Sequence, residues 1–380
     1  MRLSIVTETW PPEINGVALT VQSLARGLQA LGHDVEVVRP RQGETDGAAA
    51  TGFAQHLVAG AALPRYAGLR IGLPAHHHLL KHWSQRRPEA VYVATEGPLG
   101  HSALSAARKL GIAACTGFHT RFDDFAAHYG LGLLTPIVFA WLRRFHNRAA
   151  ATLVPTVELA TFLGESGFHN VRLLRRAVDT TLFHPSRRSD ALRRSWGIAD
   201  GDLAVVHVGR IAAEKNLDLA IRAFDAIRVR QPRARLVMVG DGPLREALAA
   251  QHPHIVFAGM RHGEDLAAHH ASGDLFLFPS LTETFGNVTL EALASGVPVV
   301  AYDYAAAREH IRDERAGTRV ACDDAEAFIA ATLAWSQSLA AGAGERSRRA
   351  AREAVAGLST AQVAAQFAQL LGSLRQRSAA

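Results

Sequence analysis

Residues 203–242 read LAVVHVGRIAAEKNLDLAIRAFDAIRVRQPRARLVMVGDG. Two short runs rich in β-branched residues, LAVVHVGR and RLVMVGDG, flank a longer segment with helical periodicity. Both runs are apolar almost throughout instead of alternating with polar residues, which indicates strands that are buried on both faces. This order of strand, helix and strand predicts a parallel sheet that is covered by helices.

The same alternation continues along the rest of the 380 residues, a length that suggests two domains. A helix is predicted over residues 17–31, with one apolar face made by Val17, Val21, Leu24, Leu28 and Leu31. The predicted strands are residues 3–8, 35–40, 55–60, 90–95, 112–119, 151–156, 203–210, 235–242, 255–259, 274–280 and 297–303.

A segment without clear periodicity, RRAVDTTLFHPSRRSD at residues 175–190, separates two groups of strands. We predict an interdomain linker there, with one doubly wound domain over residues 1–180 and a second over 181–360. Residues 361–380 are predicted to form a helix that packs back on the first domain. Ligands of doubly wound sheets bind beyond the carboxyl ends of the strands, so two facing halves would form a cleft between them.

Composition excludes several classes of protein. Apolar residues make up 48% of the chain and charged residues 20%, as in ordinary globular proteins, and the net charge is +6. No basic helix is interleaved with aromatic residues, so nucleic acid is not expected as a partner. The only two cysteines, Cys115 and Cys322, argue against a disulfide framework or a thiolate metal site. The longest apolar stretch, residues 131–142, is too short to span a bilayer, and we expect a cytoplasmic protein.

Two cations follow the strand LAVVHVG. Arg210 and Lys215 lie on the loop and first turn that open the next helix, which suits a diphosphate because a helix amino end attracts anions. A solvated basic loop explains this pair equally well. After the strand IVFAG, Met260 and Arg261 lie where a nucleotide base could rest against the backbone, although a plain connecting loop is the simpler interpretation.

The segment TETFGNVTLEALASG, residues 282–296, follows another strand. It predicts a loop that carries Glu283 and a helix that carries Glu291 in its second turn and ends at Gly296. Carboxylates accept hydrogen bonds from sugar hydroxyls, whereas an ordinary helical glutamate and a first-turn carboxylate are the alternatives. Between the two glutamates, the unsatisfied amides at the helix amino end are suited to a phosphate; they belong to Gly286, Asn287 and Val288.

The combination of GRIAAEKN, VGDGP and TETFGNVTLEALASGVPVVA resembles the retaining glycosyltransferases of family four over nearly the whole chain. That family has the GT-B fold, an α/β architecture of two facing Rossmann-like domains. The resemblance implies that the first domain binds the acceptor and the second binds the nucleotide sugar. It implies sugar contact and a catalytic role for Glu283, ribose contact for Glu291 and diphosphate binding by Arg210 and Lys215. Further donor-binding residues implied are Gly16, Met260, Arg261, Phe285, Gly286, Asn287 and Val288.

The amino-terminal half carries the same resemblance. In TETWPPEINGVALTVQSLARGLQALGHDVEVV, Asn15 and Gly16 fall where the family's first loop closes over the donor phosphate, and a turn with positive φ explains them too. The stretch GFHTRFDDFAAHYG sets His119 after a strand, where it matches the family histidine near the reactive sugar. Most lone histidines are structural, yet a position at a strand end favours a catalytic role for His119.

A closer likeness, carried by ATEGPLGHSALSAARKLGI and GFHTRFDDFAAHYG, is to bacterial GDP-mannose-dependent α-mannosyltransferases and glycolipid synthases. Residues 64–88 belong to it and mix Leu, Ile and Trp with Arg, Lys and His. Such a segment can rest on an anionic membrane, but packing of its apolar face on the domain is the favoured account. The tract His76 to His78 is interpreted as a polar patch, and neither a bound metal nor another cofactor is expected.

The resemblance implies an enzyme that moves a hexose from a nucleotide diphosphate sugar to a lipid or saccharide acceptor with retention of configuration. Mannose from GDP-mannose is the leading choice, and a UDP-sugar-dependent diacylglycerol glycolipid synthase is the alternative. A nicotinamide dehydrogenase is disfavoured because IVTETWPPEINGVA contains no G-x-G-x-x-G. A nucleotide-sugar epimerase would not be expected to carry this pair of glutamates, and the intact set of motifs argues against a non-catalytic binder.

Overall fold

The computed structural model describes residues 1–11, 13, 16–42, 46, 52–62, 70–119, 135–283 and 285–379. The chain forms two compact units, one of Met1–Ala177 with Thr360–Ala380 and the other of Val178–Ser359. The predicted boundaries fell after residues 180 and 360. Residues 175–190, predicted as a linker, contain the change of unit and a 3₁₀ turn at Pro185–Arg187.

The first unit is built on a sheet of parallel strands. Its strands are β1 Arg2–Val6, β2 Asp34–Pro40, β3 Ala54–Val58, β6 Ala90–Val93, β7 Ala113–Gly117, β8 Ala151–Val154 and β9 Val171–Leu173. They are ordered β3-β2-β1-β6-β7-β8-β9. A separate antiparallel pair joins β4 Gly60–Ala62 to β5 Arg70–Gly72. All residues of β6 and β8, and all of β1 after Arg2, are buried and mostly apolar, as expected for strands that are covered on both faces.

Helices cover this first sheet. They are α1 Gly16–Ala30, α2 His76–Gln85, α3 Pro98–Lys109, α4 Thr135–His146, α5 Val157–Glu165 and the carboxyl-terminal α14 Thr360–Ala379. Helix α14 packs on α1, and its buried Val363, Phe367 and Leu371 join the core beneath the sheet. Gly27 makes this approach close, since a Cβ there would lie 2.5 Å from the Cβ of Ala364.

The second unit repeats the plan. Its parallel strands are β10 Ala204–Val208, β11 Arg235–Val239, β12 Val256–Gly259, β13 Leu275–Phe278, β14 Val299–Tyr302 and β15 Gly317–Val320. Its helices are α6 Asp190–Ser195, α7 Leu217–Arg230, α8 Arg245–Gln251, α9 Gly263–Ala271, α10 Asn287–Ala294, α11 Ala305–His310, α12 Ala325–Ser338 and α13 Gly344–Ala354. The strand order is β12-β11-β10-β13-β14-β15.

Both sheets reverse their winding once, between β1 and β6 in the first unit and between β10 and β13 in the second. In doubly wound sheets the crevice for a ligand lies at such a reversal, outside the carboxyl ends of the strands. The predicted α/β class with two Rossmann-like sheets is confirmed. Among the helices that the structure describes, none has the length and apolar character needed to cross a membrane.

Candidate active site

In the second unit, the cations predicted from the sequence follow β10 at the reversal of the sheet. Arg210 lies two residues beyond the end of β10, so it belongs to the loop and not to the predicted strand over 203–210. Lys215 closes a 3₁₀ turn at Ala213–Lys215, and Asn216, at φ 51°, leads into α7. The tight left-handed turn therefore sets Lys215 directly ahead of a helix amino end.

The ammonium of Lys215 contacts Oε1 of Glu283 across the reversal point, because β10 and β13 are neighbours. The hydroxyl of Ser280 donates a 2.8 Å hydrogen bond to the same oxygen. The two charged side chains are only 14% and 15% exposed, so solvent screens this pair weakly. The Lys215 ammonium also lies 5.6 Å from the ring centroid of Phe278. The structure thus brings together two predicted site residues that are distant in sequence.

Hydrogen bonds from other elements hold the loop that carries Glu283. The amide of Leu281 donates a 2.9 Å bond to the carbonyl of Glu214, and the hydroxyl of Tyr304 donates a 2.7 Å bond to the carbonyl of Ser280. The first contact ties the loop after β13 to the turn after β10, and the second ties it to the segment that follows β14. Glu283 is therefore held by its surroundings instead of projecting from a free loop.

The amino end of α10 begins with a glycine in the left-handed region. Gly286 has φ +84°, and a Cβ there would lie 3.3 Å from the ring of Phe278, so both conformation and space favour glycine. As the N-cap residue, Gly286 has no side chain to cap the helix, and among the described residues this leaves the amino end open ahead of Asn287 and Val288. Phe285 is buried, and the centroid of its ring lies 6.0 Å from that of the His310 ring.

Glu291 lies in the second turn of α10, as predicted, and its side chain is 20% exposed. Its Oε2 is buried and lies 3.3 Å from Nε2 of His270, a completely buried residue on α9. One carboxylate oxygen thus faces the protein interior.

The remaining donor-binding candidates of this unit are more exposed. Arg210 is 60% exposed and lies 3.6 Å from the carboxylate of Glu214. Met260 is 54% exposed after β12. The guanidinium of Arg261 folds back, donating two hydrogen bonds to the carbonyl of Ala258 and one to Asp265. Arg261 is thus occupied by its own loop.

In the first unit, His119 lies two residues beyond β7, so the predicted strand over 112–119 ends before it. Nδ1 of His119 accepts a 2.7 Å hydrogen bond from the guanidinium of Arg176. Its Nε2 lies 2.6 Å from the hydroxyl oxygen of Tyr92. Burial, followed by the charge of Arg176, holds the pKa of His119 well below its usual value. The ring is therefore neutral, with its proton on Nε2.

The same buried cluster contains an unusual cation. Burial lowers the pKa of the Arg176 guanidinium to about 10, and among the residues that the structure describes no carboxylate pairs with it. A cavity of about 20 Å³, lined by Thr20, Tyr92, His119 and Arg176 among others, adjoins the cluster. That volume holds about one water molecule.

At the reversal of the first sheet, Glu8 follows β1 and caps the amino end of α3. Its carboxylate accepts a 3.1 Å hydrogen bond from the amide of Leu99. Burial raises the pKa of Glu8 to about 7, in spite of the backbone bonds that favour the charged form. Gly16 is the first residue of α1, and the other predicted loop residue, Asn15, lies outside the described residues.

Of the segment 64–88, residues 64–69 lie outside the described part of the chain, and the rest contains α2. Leu79 and Trp83 of α2 are fully buried against the unit. His82 bonds the carboxylate of Glu36 at 2.9 Å. Within the described ranges, no three His, Cys, Asp or Glu side chains are grouped to hold a metal ion.

Sequence reasoning missed Tyr92, Arg176, His270 and Glu8. Tyr92 is inside a predicted strand, and Arg176 is inside the predicted linker, so neither was recognised as a candidate site residue. The paired histidines in AAHHAS, set among alanines in the last turn of a helix, are a signal that could have drawn attention to His270.

Comparison with known proteins assigns the family. Residues 14–182 match the model for Glycosyltransferase Family 4, and residues 202–338 match that for Glycosyl transferases group 1. A GDP-mannose-dependent alpha-mannosyltransferase of Mycobacterium tuberculosis is 35% identical over 322 residues, which cover 83% of each chain. The alpha-monoglucosyldiacylglycerol synthase of Streptococcus pneumoniae is 26% identical over 320 residues, covering 80% of this chain and 71% of that protein.

The structure of Anabaena HepE in complex with UDP shares the fold, with a TM-score of 0.77 at 17% identity over 98% of this chain and 100% of that chain. The fold is GT-B, as the sequence predicted. The chain belongs to glycosyltransferase family 4, and the protein is a glycosyltransferase.

Proposed function

We propose that the protein transfers mannose from GDP-mannose to a lipid or saccharide acceptor, with retention of the anomeric configuration. The observation that carries the proposal is the contact between Lys215 and Glu283 beside the open amino end of α10. A cation and helix amides suit a diphosphate, and a carboxylate suits sugar hydroxyls, so the two together suit a nucleotide sugar. The similarity to GDP-mannose-dependent mannosyltransferases supports the choice of base and sugar.

In this proposal the second unit binds the donor. Lys215, Arg210 and the amides of α10 stabilise the diphosphate as its negative charge grows. Glu283 orients the hexose, and Glu291 binds the ribose. The base rests near Met260, where exposed backbone is the better candidate for contact because the Arg261 guanidinium is already bonded to Ala258.

The first unit serves the acceptor and the reacting sugar, with Gly16 near the donor phosphate and His119 near the anomeric centre. The acceptor oxygen attacks the anomeric carbon on the face that the diphosphate leaves, and the departing diphosphate takes the acceptor proton. Glu283 acts as an orienting group in this step, because Lys215 and Ser280 already engage its Oε1. The reaction as proposed needs no bound metal or other cofactor.

A second candidate is a UDP-sugar-dependent synthase that glycosylates diacylglycerol. The likeness to the alpha-monoglucosyldiacylglycerol synthase of Streptococcus pneumoniae favours it. For either lipid acceptor we propose a cytoplasmic enzyme with peripheral contact to anionic membrane. Leu79 and Trp83 of α2 are buried, so exposed cations such as Lys81 and Arg87 would make that contact.

A donor screen tests the proposal directly. The purified protein is incubated with GDP-mannose, UDP-glucose, UDP-glucuronate or UDP-N-acetylglucosamine, and release of nucleotide diphosphate and thermal stabilisation are measured. Turnover of GDP-mannose, followed by transfer to a lipid or saccharide acceptor with an α-linked product, is the expected result. Turnover of a UDP-sugar alone would favour the second candidate, and an isomerised free nucleotide sugar would contradict both.

A further inference from the structure

The environment of Glu291 is asymmetric. Its Oε2 is buried and makes no hydrogen bond of ordinary geometry, whereas the side chain as a whole is 20% exposed. The exposed part of the carboxylate is therefore on the Oε1 side. Within the described residues, the polar contact that the structure shows for Oε2 is Nε2 of His270, at 3.3 Å.

His270 is held in place by apolar neighbours. Its imidazole is completely buried, and the rings of Phe183 and Phe276 lie 5.6 and 5.7 Å from it, measured between centroids. A buried carboxylate oxygen is costly unless a donor faces it, and Nε2 of His270 faces Oε2 although neither atom makes a hydrogen bond of ordinary geometry. This orientation directs Oε1 outward.

We propose that His270 is a positioning residue that aims the carboxylate of Glu291 at the vicinal hydroxyls of the donor's ribose. The inference rests on the proposed function for the ribose contact of Glu291, and it adds the group that makes this contact directional. A carboxylate that is aimed in advance binds a hydroxyl without having to order its own side chain. Removing the imidazole should therefore reduce recognition of the ribose and leave recognition of the diphosphate unchanged.

Nucleotides that lack one ribose hydroxyl separate these effects. The test measures by calorimetry the affinities of GDP, 2′-deoxy-GDP and 3′-deoxy-GDP, and of the same UDP series, for the full-length protein. We expect the wild type to bind the better ribonucleotide about tenfold more tightly than at least one deoxy form. In His270→Phe this ratio should fall to within about twofold, because a phenyl ring fills the site but presents no polar atom to Oε2 of Glu291.

Two further variants make the test specific. His270→Gln keeps a donor at the end of the side chain and should retain a preference for the ribonucleotide. The matched control is His269→Phe, which alters the neighbouring buried histidine on the same helix; its Nδ1 bonds the carbonyl oxygen of Asp265 at 2.7 Å. This control should keep the wild-type ratio.

The outcomes separate the inference from the proposed function. Equal losses for ribo and deoxy nucleotides in both His270 variants would overturn the positioning role, as would a wild type that does not distinguish them. A protein that distinguishes ribose in this way but turns over no nucleotide sugar would support the inference and contradict the proposed function. Turnover of GDP-mannose by a protein that shows no ribose preference would do the reverse.

Discussion

The guanidinium of Arg176 and the imidazole of His119 form a buried donor–acceptor pair at 2.7 Å. Arginine has no acceptor atom, so the bond is possible only while Nδ1 of His119 carries no proton. Among the described residues, no carboxylate compensates the charge of Arg176. A buried cation without such a partner stabilises a fold poorly. We infer that Arg176 serves to hold His119 neutral and in one tautomer.

Arg176→Met should therefore lower kcat by about 10- to 100-fold, since the reacting groups lose their alignment. The free energy of unfolding should change by less than about 1 kcal/mol, because a long apolar side chain replaces an uncompensated buried cation. Steady-state kinetics and denaturant unfolding measure the two effects, and Arg176→Lys, which keeps a cationic donor, should recover part of kcat. A large loss of stability with unchanged kcat in the folded fraction would contradict this assignment.

The pH dependence of the same variant supplies an independent readout. The charge of Arg176 is the second cause, after burial, of the low pKa of His119, and the nearby His146 also lowers it. Without that charge the pKa of His119 rises, so protonation begins at a higher pH. The acid limb of the kcat profile should move to higher pH in Arg176→Met, and an unmoved limb would show that His119 does not titrate in the reaction.

Lys215 and Arg210 should differ in their effects on nucleotide binding. Lys215 is largely buried against Glu283, whereas the side chain of Arg210 is 60% exposed. Lys215→Ala should weaken binding of GDP by about 10- to 100-fold, the cost of a charge-assisted bond of about 1.5–3 kcal/mol. Arg210→Ala should cost less than about fivefold because solvent screens an exposed charge. Titration calorimetry with GDP compares the two variants, and equal losses of affinity would contradict the predicted difference between them.

Lys215 and Glu283 show which features of the site could be predicted from the sequence. The type of each element around Lys215 and Glu283 followed from periodicity and from the glycines of the turns. Their contact did not, because 68 residues separate them and the adjacency of β10 and β13 is a property of sheet order. The contact between Arg176 and the predicted His119 was missed as well, because these residues are 57 positions apart and follow β9 and β7, whose places in the sheet are again set by strand order. Sequence patterns describe local conformation, whereas contacts across a sheet reversal depend on topology.

Two short edge strands were also not predicted from the sequence. β9, with the sequence VRL, and β15, with the sequence GTRV, are the outermost strands of their sheets on one side and carry exposed arginines. An edge strand is less buried than a central one, so it lacks the continuous apolar run that marked β10 and β11. Both strands lie away from the sheet reversals, and their omission did not affect the prediction of the site.

Glu283→Gln should separate chemistry from binding. The substitution preserves shape and removes the charge that now pairs with Lys215, which frees the ammonium for the diphosphate. GDP affinity should therefore stay equal or increase, while kcat with the intact nucleotide sugar should fall by at least about tenfold because the hexose loses a charged hydrogen-bond acceptor. Calorimetry with GDP and steady-state kinetics give both values. If kcat and GDP affinity fall together, Glu283 supports the loop and does not orient the sugar.

Buried histidines should make stability depend on pH. His207, in β10, is completely buried, and burial lowers its pKa to about 4. The imidazole of His207 takes up a proton near pH 6.5 in the unfolded chain but only near pH 4 in the folded chain. The free energy of unfolding therefore decreases as the pH falls below 6.5. Between pH 7 and pH 5 the loss from this one residue should be about 2 kcal/mol.

The comparison of wild type with His207→Asn isolates that contribution, because the other titrating groups are common to both proteins. Asparagine keeps a side-chain donor for the carbonyl of Leu277, which Nδ1 of His207 contacts at 3.0 Å. The packing lost on substitution lowers the free energy of unfolding equally at every pH. It therefore cancels when the changes between pH 7 and pH 5 are compared. Denaturant unfolding at pH 7 and pH 5 should show a smaller decrease for the variant by about 2 kcal/mol. Parallel decreases in the two proteins would mean that His207 takes up its proton in the folded state as readily as in the unfolded chain.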